Sequence, residues 1–286
     1  CRPEAAPGTP AWVGTSVTVR RALRLIHEGA LDSSSVEELA TRLGVGARHL
    51  HRLFVQHVGA SPIVVAQTRR LHFAKRLIDD TVLPMTSIAL ASGFGSLRRF
   101  NAAFQSTYGR APRELRRERR DASGSSGDGL NLRLAYRPPY DWKSLHAFLA
   151  ARAMPGVERI TAQTYARSIR VNEVNGWFEI RQARTGDGLE LSVHGLEPAV
   201  LFSVVSRVRQ MFDLSADPAE VRTALRGDAL LAPLLRAHPG LRIPGAWDPF
   251  EIAVRAVLGQ QISVAAARTF AARLVVAYGS PISATA

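Results

Sequence analysis

The chain has 286 residues, 21% of them charged, a single Cys and a formal net charge of +13. That length carries more than one domain. One Cys excludes an internal disulfide framework and fits a reducing cytoplasm, no apolar run reaches the roughly 18 residues of a membrane span, and nothing reads as a signal peptide.

The charge is lopsided: residues 1–120 hold 19 Lys and Arg against 9 Asp and Glu, the remainder 18 against 15. A positive field concentrated in one half points to a polyanion, and specifically to nucleic acid, ahead of a merely soluble basic surface. Arg far outnumbers Lys, which suits bidentate contacts to guanine and phosphate and equally a GC-rich genome.

Residues 1–15 are Pro-rich and are not expected to be helical. A helix from about Val17 to Glu28 presents Val19, Leu23 and Ile26 to a core, Asp32–Ser35 reads as a capping stretch, and Val36–Leu43 as the next helix. From there the chain repeats itself. Leu39, Ala40 and Gly44 recur as Ile88, Ala89 and Gly93; Leu50, Phe54, Gly59 and Pro62 recur as Phe100, Phe104, Gly109 and Pro112. Each copy is a short apolar helix, a Gly at the turn, and a second helix with apolar residues at i, i+3 and i+4 (Leu50, Leu53, Phe54). The outer face of that helix is polar: Arg48, His49, His51, Arg52 and Gln56 in the first copy, Ser96, Arg98, Arg99 and Asn101 in the second. A Gly after a short first helix permits the sharp crossing that projects the second into a major groove, so the pattern is a double helix-turn-helix. A helix from about Pro62 to Asp79 joins the copies, and the second ends near Arg120. Residues 120–129, rich in Ser, Gly and Asp, read as a flexible linker with an r.m.s. reach of roughly 17–19 Å.

Beyond the linker the helical period gives way to alternation. Leu130, Leu132, Leu134 and Tyr136 alternate with polar residues as in a half-buried strand. Pro138-Pro139 stops it, and Asp141 caps a helix carrying Leu145, Phe148 and Leu149. Strands are expected at about Thr161–Val171, Gly176–Ala183 and Leu189–His194, with Asn175-Gly176 and Gly186-Asp187-Gly188 as turns. A helix follows Pro198 to about Phe212, and shorter helices run to Arg236. This middle part reads as a small α+β unit with an antiparallel sheet. A last helical pair, Pro249–Leu258 and Ser263–Tyr278, flanks a tight Gly259-Gln260-Gln261 corner. The fold class is multidomain: an all-α double helix-turn-helix domain (16–120), a linker (121–129), an α+β unit (130–239) and the start of an all-α unit (240–286).

Residues 17–120 resemble the DNA-binding domain of AraC-type transcription activators, most closely in Gly93-Phe94-Gly95-Ser96, Phe100-Asn101, Phe104 and Tyr108-Gly109-Arg110-Ala111-Pro112. The resemblance implies two helices entering successive major grooves, with Arg48, His51 and Arg52 facing bases from the first, and Arg98 and Asn101 from the second. Leu97 stands where many members carry a polar residue. Residues 130–279 resemble bacterial 3-methyladenine DNA glycosylase II, through Pro138-Pro139-Tyr140-Asp141-Trp142, Phe148 to Ala153, Tyr165 to Ser168, Asp248 to Glu251 and Leu258 to Val264. This implies an α+β domain ahead of a helix-hairpin-helix domain, Phe148 on the wall of a base pocket, and Gln261 as the wedge that fills the duplex when a base flips. Cys1-Arg2-Pro3-Glu4 resembles the end of the zinc domain of adaptive-response alkylation proteins, with Cys1 matching only the last metal ligand; residues 1–15 would be its remnant. No cofactor is expected in this chain, zinc belonging to the complete N-terminal domain.

The glycosylase resemblance also implies a hairpin that grips a phosphate and an Asp that stabilises the sugar cation, and neither is found in residues 1–286. Pro239-Gly240 and Pro244-Gly245 lack the hairpin's Gly-x-Gly spacing. Both chain ends are expected to be truncations, and the chain is expected to have no catalytic residue and to be inactive by itself. Asp248 and Glu251 read as a helix cap and first-turn acid. His49, His51 and His57 do not share one tight helix face and read as DNA-facing or surface residues ahead of a metal site. Asp141, Ser144 and His146 lie on one helix, where a hydrolytic triad would converge from separate elements. By pattern alone Phe148, spaced i, i+3 from Leu145, is a core residue. The expected function is a regulator fused to an alkylbase glycosylase, acting as a cytoplasmic, nucleoid-associated monomer with promoter and alkylated duplex DNA and RNA polymerase as partners. A pure regulator with a non-catalytic C-terminal module is the alternative from another class, and a nucleoid-type binder of weak sequence preference is a third.

Overall fold

The computed structural model describes residues 15–27, 29–32, 34–81, 83–117 and 130–282. Cys1, the Pro-rich start and the 121–129 linker lie outside the described residues. The chain divides into two compact units, residues 1–121 with 201–206, and residues 122–200 with 207–286.

The first unit is built on α1 (Thr15–His27), α2 (Val36–Arg42), α3 (Ala47–Val58), α4 (Pro62–Asp80), α5 (Met85–Ala91), α6 (Leu97–Tyr108) and α7 (Pro112–Arg117). The repeat seen in the sequence lies in the turns and the apolar stripe; the side-chain caps differ between the copies. Ser35, Ser61 and Ser96 accept backbone N–H bonds at the starts of α2, α4 and α6, each satisfying a donor the helix cannot. Gly44 and Gly93 turn the chain between the helices of each pair at φ of +71° and +77°, a left-handed conformation that Gly adopts without a Cβ penalty. The i, i+3, i+4 apolar stripe is buried as expected: Leu50 0%, Leu53 3% and Phe54 0% exposed. They pack with Val19, Ala22, Ile26 and Leu39. In the second pair Phe100 meets Phe94 and Phe104 at 5.4 and 5.5 Å between ring centroids.

The second unit contains β1 (Leu130–Ala135), α8 (Trp142–Arg152), β2 (Glu158–Ile160), β3 (Thr164–Val171), β4 (Val174–Gln182), β5 (Gly188–His194), the part of α9 (Leu201–Met211) from Arg207 onward, α10 (Pro218–Leu225), α11 (Leu231–Ala237), α12 (Pro249–Leu258) and α13 (Val264–Tyr278). Its sheet has the order β1-β5-β4-β3-β2, with every pairing antiparallel. Alternation puts Leu132, Leu134, Tyr165, Ile169, Phe178, Ile180, Leu191 and Val193 in the core. Phe212 fills the space above them, 5.5 Å from Tyr165 and 6.0 Å from Trp142. Arg242, only 4% exposed, donates to the carbonyls of Arg137, Pro139 and Ala216 and so ties residues 240–247 into this α+β body.

Two local expectations are corrected. The strand expected over Thr161–Val171 starts only at Thr164, because the Thr161 hydroxyl accepts the N–H groups of Gln163 and Thr164 and closes a turn; the strand before that turn, β2 (Glu158–Ile160), was not expected. Asn175-Gly176 is not a turn but lies inside β4; the hairpin reverses three residues earlier, at Asn172 and Glu173, whose φ values are +48° and +65°. Two residues with positive φ make the turn whose twist matches paired strands. Gly176 instead permits a close approach within the sheet, since a Cβ there would stand 2.5 Å from the His194 carbonyl oxygen.

Candidate functional sites

In the first unit α3 and α6 present their polar faces to solvent. Arg48, His51, Arg52 and Gln56 are exposed on α3, as are Arg98, Arg99 and Asn101 on α6. The fifty-residue offset pairs Arg48 with Arg98 and His51 with Asn101, whereas Arg52 of the first helix is matched by Ala102 in the second. Each helix therefore carries two arginines, but the second of them stands at different registers, Arg52 in the first and Arg99, opposite His49, in the second. His49 is half-buried, and its Nδ1 lies 3.0 Å from an Arg52 guanidinium nitrogen, which fixes where that cation points. Ser96, grouped from the sequence with the DNA-facing residues, spends its hydroxyl on the Arg99 N–H as the cap of α6. Among the described residues no cluster of His, Cys, Asp and Glu could hold a metal ion, and no helix is long and apolar enough to cross a membrane.

The second unit encloses a cavity of ≈ 450 Å³. Phe148, Met154, Met211, Trp247, Ile252 and Ile262 supply apolar wall. Phe148 is 41% exposed, so the core position suggested by its spacing is not what it occupies; the Arg152 guanidinium sits 3.8 Å over its ring. Trp247 is held between Phe178, at 5.6 Å, and two cations, Arg207 at 5.3 Å and Arg167 at 5.8 Å from its ring centroid.

The polar side of the cavity is a closed chain of charges that sequence reasoning did not single out. Glu158 accepts the Tyr165 hydroxyl at 2.5 Å, an Arg255 N–H at 2.5 Å and the Met154 backbone N–H at 2.7 Å. Glu251 accepts Arg167 at 2.6 Å and Arg255 Nε at 2.9 Å. Glu158 and Arg167 face each other across the β2–β3 ladder, while Glu251 and Arg255 are one turn apart on α12. The network thus joins sheet to helix. Burial by itself would raise the Glu158 carboxyl, but the bonds from Tyr165 and Arg255 and the charge of Arg255 outweigh it and hold it below the ordinary glutamate range. Burial, reinforced by the neighbouring Glu158 charge, pushes the Tyr165 phenol up. The two glutamates raise Arg255 in spite of its burial. Only the i, i+4 pairing of Glu251 with Arg255 was visible as spacing.

Asp248 caps α12 through the Glu251 N–H, as the sequence indicated, but Glu251 is more than a first-turn acid. Asp141 likewise caps α8 through Ser144, and His146 turns its ring to the Thr164 carbonyl; the three make no triad. Gln261 is exposed at the corner between α12 and α13 with φ of +59°, a conformation uncommon for any residue but Gly. Beside it α12 and α13 leave apolar side chains in the open, among them Phe250 (78%), Val257 (67%) and Phe270 (45%).

The helix-turn-helix domain family matches residues 39–118, and the AlkA N-terminal domain family residues 131–248. A probable bifunctional transcriptional activator/DNA repair enzyme AlkA from Mycobacterium tuberculosis is 38% identical over 285 residues, covering 99% of this chain and 57% of that protein. DNA-3-methyladenine glycosylase 2 of Escherichia coli is 40% identical over 147 residues, 51% of this chain and 50% of its own. Among solved structures, a transcriptional regulator from Chromobacterium violaceum described by AraC-type DNA-binding domains aligns at 29% identity over 39% of this chain and 99% of its own, with a TM-score of 0.34. The chain spans about half the length of the curated relatives it matches.

Proposed function

The chain joins an AraC-type helix-turn-helix domain to an AlkA N-terminal domain, and from that premise we propose a sequence-specific transcription regulator fused to an alkylbase DNA glycosylase of base-excision repair. The observation that carries the proposal is the alignment of 99% of the chain, through both domains, with a relative named for both activities. The exposed basic faces of α3 and α6 support the first activity. A cavity walled by Phe148 and Trp247 supports the second, since π faces reward stacking of a base made cationic by alkylation. Gln261, exposed at its strained corner, is the proposed wedge. Promoter and alkylated duplex DNA are the proposed partners, with RNA polymerase at the promoter, for a monomer in the cytoplasm at the nucleoid.

The first unit is expected to protect two adjacent major grooves as a monomer, because one polypeptide supplies both reading helices. Arg52→Ala should weaken binding at a specific site by roughly 1–3 kcal/mol if the guanidinium pairs with guanine. Footprinting and titration against specific and random duplexes decide it. Protection of a single helical turn, or an equal loss on random DNA, would refute the assignment.

Base release is proposed for the whole protein and not for residues 1–286 acting alone. The described carboxylates on the cavity wall, Glu158 and Glu251, are both engaged by arginines, which leaves neither to stabilise a developing sugar cation. Methylated duplex incubated with this chain should release no 3-methyladenine above background by chromatography of free bases. Turnover by this chain that survives both Glu158→Gln and Glu251→Gln would place the chemistry on another acid.

A further inference from the structure

The helix between the two readers carries adjacent arginines that the interface does not use. Arg69, on α4, donates from one nitrogen to both carboxylate oxygens of Asp32 at 3.0 Å, just ahead of α2. Arg70 forks. One terminal nitrogen reaches the Leu31 carbonyl at 2.8 Å and the other the Gly93 carbonyl at 3.3 Å. Leu31 leads into the first helix-turn-helix, and Gly93 is the turn of the second. A Cβ on Gly93 would lie 3.2 Å from Arg70 Nε, so the guanidinium rests directly against that turn. Two residues on, His72 meets the Tyr108 hydroxyl at 3.2 Å at the far end of α6. Residues 69–72 of α4 therefore grip the lead-in to the first copy, and the turn and far helix end of the second.

We infer that Arg70 is a positioning residue: by bonding one carbonyl on the lead-in to the first copy and one at the turn of the second it sets the offset between α3 and α6, and so the spacing of the two half-sites the domain accepts. The chemistry favours Arg in this role. A planar guanidinium offers separate donors in a fixed fork, whereas the ammonium of Lys is a point charge that cannot span two carbonyls in the same geometry. Ala66, Phe73, Ala74 and Leu77, at i−4, i+3, i+4 and i+7 from Arg70, are buried on the same side of α4 and hold the helix in place around the guanidinium. They are non-directional, and the fork supplies the direction. The inference rests on the DNA-reading role proposed above.

The full chain and its Arg70→Met and Arg70→Lys variants are used to select duplexes randomised over about three helical turns. Wild type should return paired half-sites at one separation. Both variants should return the same half-sites over a spread of separations, and discrimination between the native spacing and one shifted by a base pair should collapse toward unity. Affinity for a duplex carrying a single half-site should be unchanged, which a merely structural role would not give. Where Arg70→Met fails to fold by circular dichroism, Arg70→Lys carries the test. An unaltered single separation in the variants, or a matching loss on the single half-site, overturns the inference while leaving DNA reading intact. Recovery of no paired half-sites by wild type overturns the reading itself.

Discussion

Glu158→Ala is expected to destabilise the second unit by about 3–5 kcal/mol, the range for removing one partner from a buried ion pair. The side chain is 5% exposed and its neighbour Arg167 3%. Deleting the carboxylate strands the Tyr165 hydroxyl, the Met154 N–H and part of the charge on Arg255 at once. Against a total stability of about 5–15 kcal/mol for a domain, that is a large fraction. Denaturant titration should show the transition of the second unit moving to lower concentration while that of the first stays put. The pH dependence has a definite sign. Glu158 is held below its ordinary value in the folded state, so it contributes stability above the pKa of the unfolded chain, and that contribution is lost as pH falls through the folded value. The wild-type unit should weaken with acid below the ordinary glutamate range, and Glu158→Gln should flatten that slope. A change within about 0.5 kcal/mol, as at an ordinary surface site, would mean that the network adds nothing to stability.

Phe104→Ala should cost about 3–5 kcal/mol through the cavity it leaves. Its ring is 0% exposed and touches Phe100 at 5.5 Å and Tyr108 at 4.6 Å, so its loss loosens the inner face of the second reading helix along its length. Thermal unfolding should fall accordingly, and protection of the groove read by α6 should fade before that of the groove read by α3. Phe54→Ala, the same register in the first copy and equally buried, should reverse that order. Identical footprints from the two variants would show that the copies do not read separate grooves.

Much of this protein was legible before any coordinates. The cap at Ser35, the turns at Gly44 and Gly93 and the buried Leu50, Leu53 and Phe54 depend on residues within a few positions of one another. Local chemistry of that kind is written in spacing, and it sufficed for the double helix-turn-helix. The strands of the α+β unit were legible for the same reason, since period-two burial shows in one strand at a time. Their ends were not: Asn172-Glu173 became the hairpin turn, and Gly176 a strand residue, because the β3–β4 register leaves just those two residues unpaired.

What only the tertiary structure decided are the contacts between residues far apart in the chain. Glu158 and Arg167 meet because two strands pair, and Arg255 joins them from ninety-seven residues away; each alone reads as a surface charge. Phe148 by spacing belongs in a core, yet α8 turns it to a cavity that Trp247 and Ile262 also line. Arg70 looked like one more basic residue on a connecting helix until the fold put Leu31 and Gly93 on either side of it. Periodicity reports which face of an element is buried. It carries no information about which distant carbonyl, carboxylate or ring will lie against that face, and in this protein those are the contacts that build the cavity and hold the two readers in register.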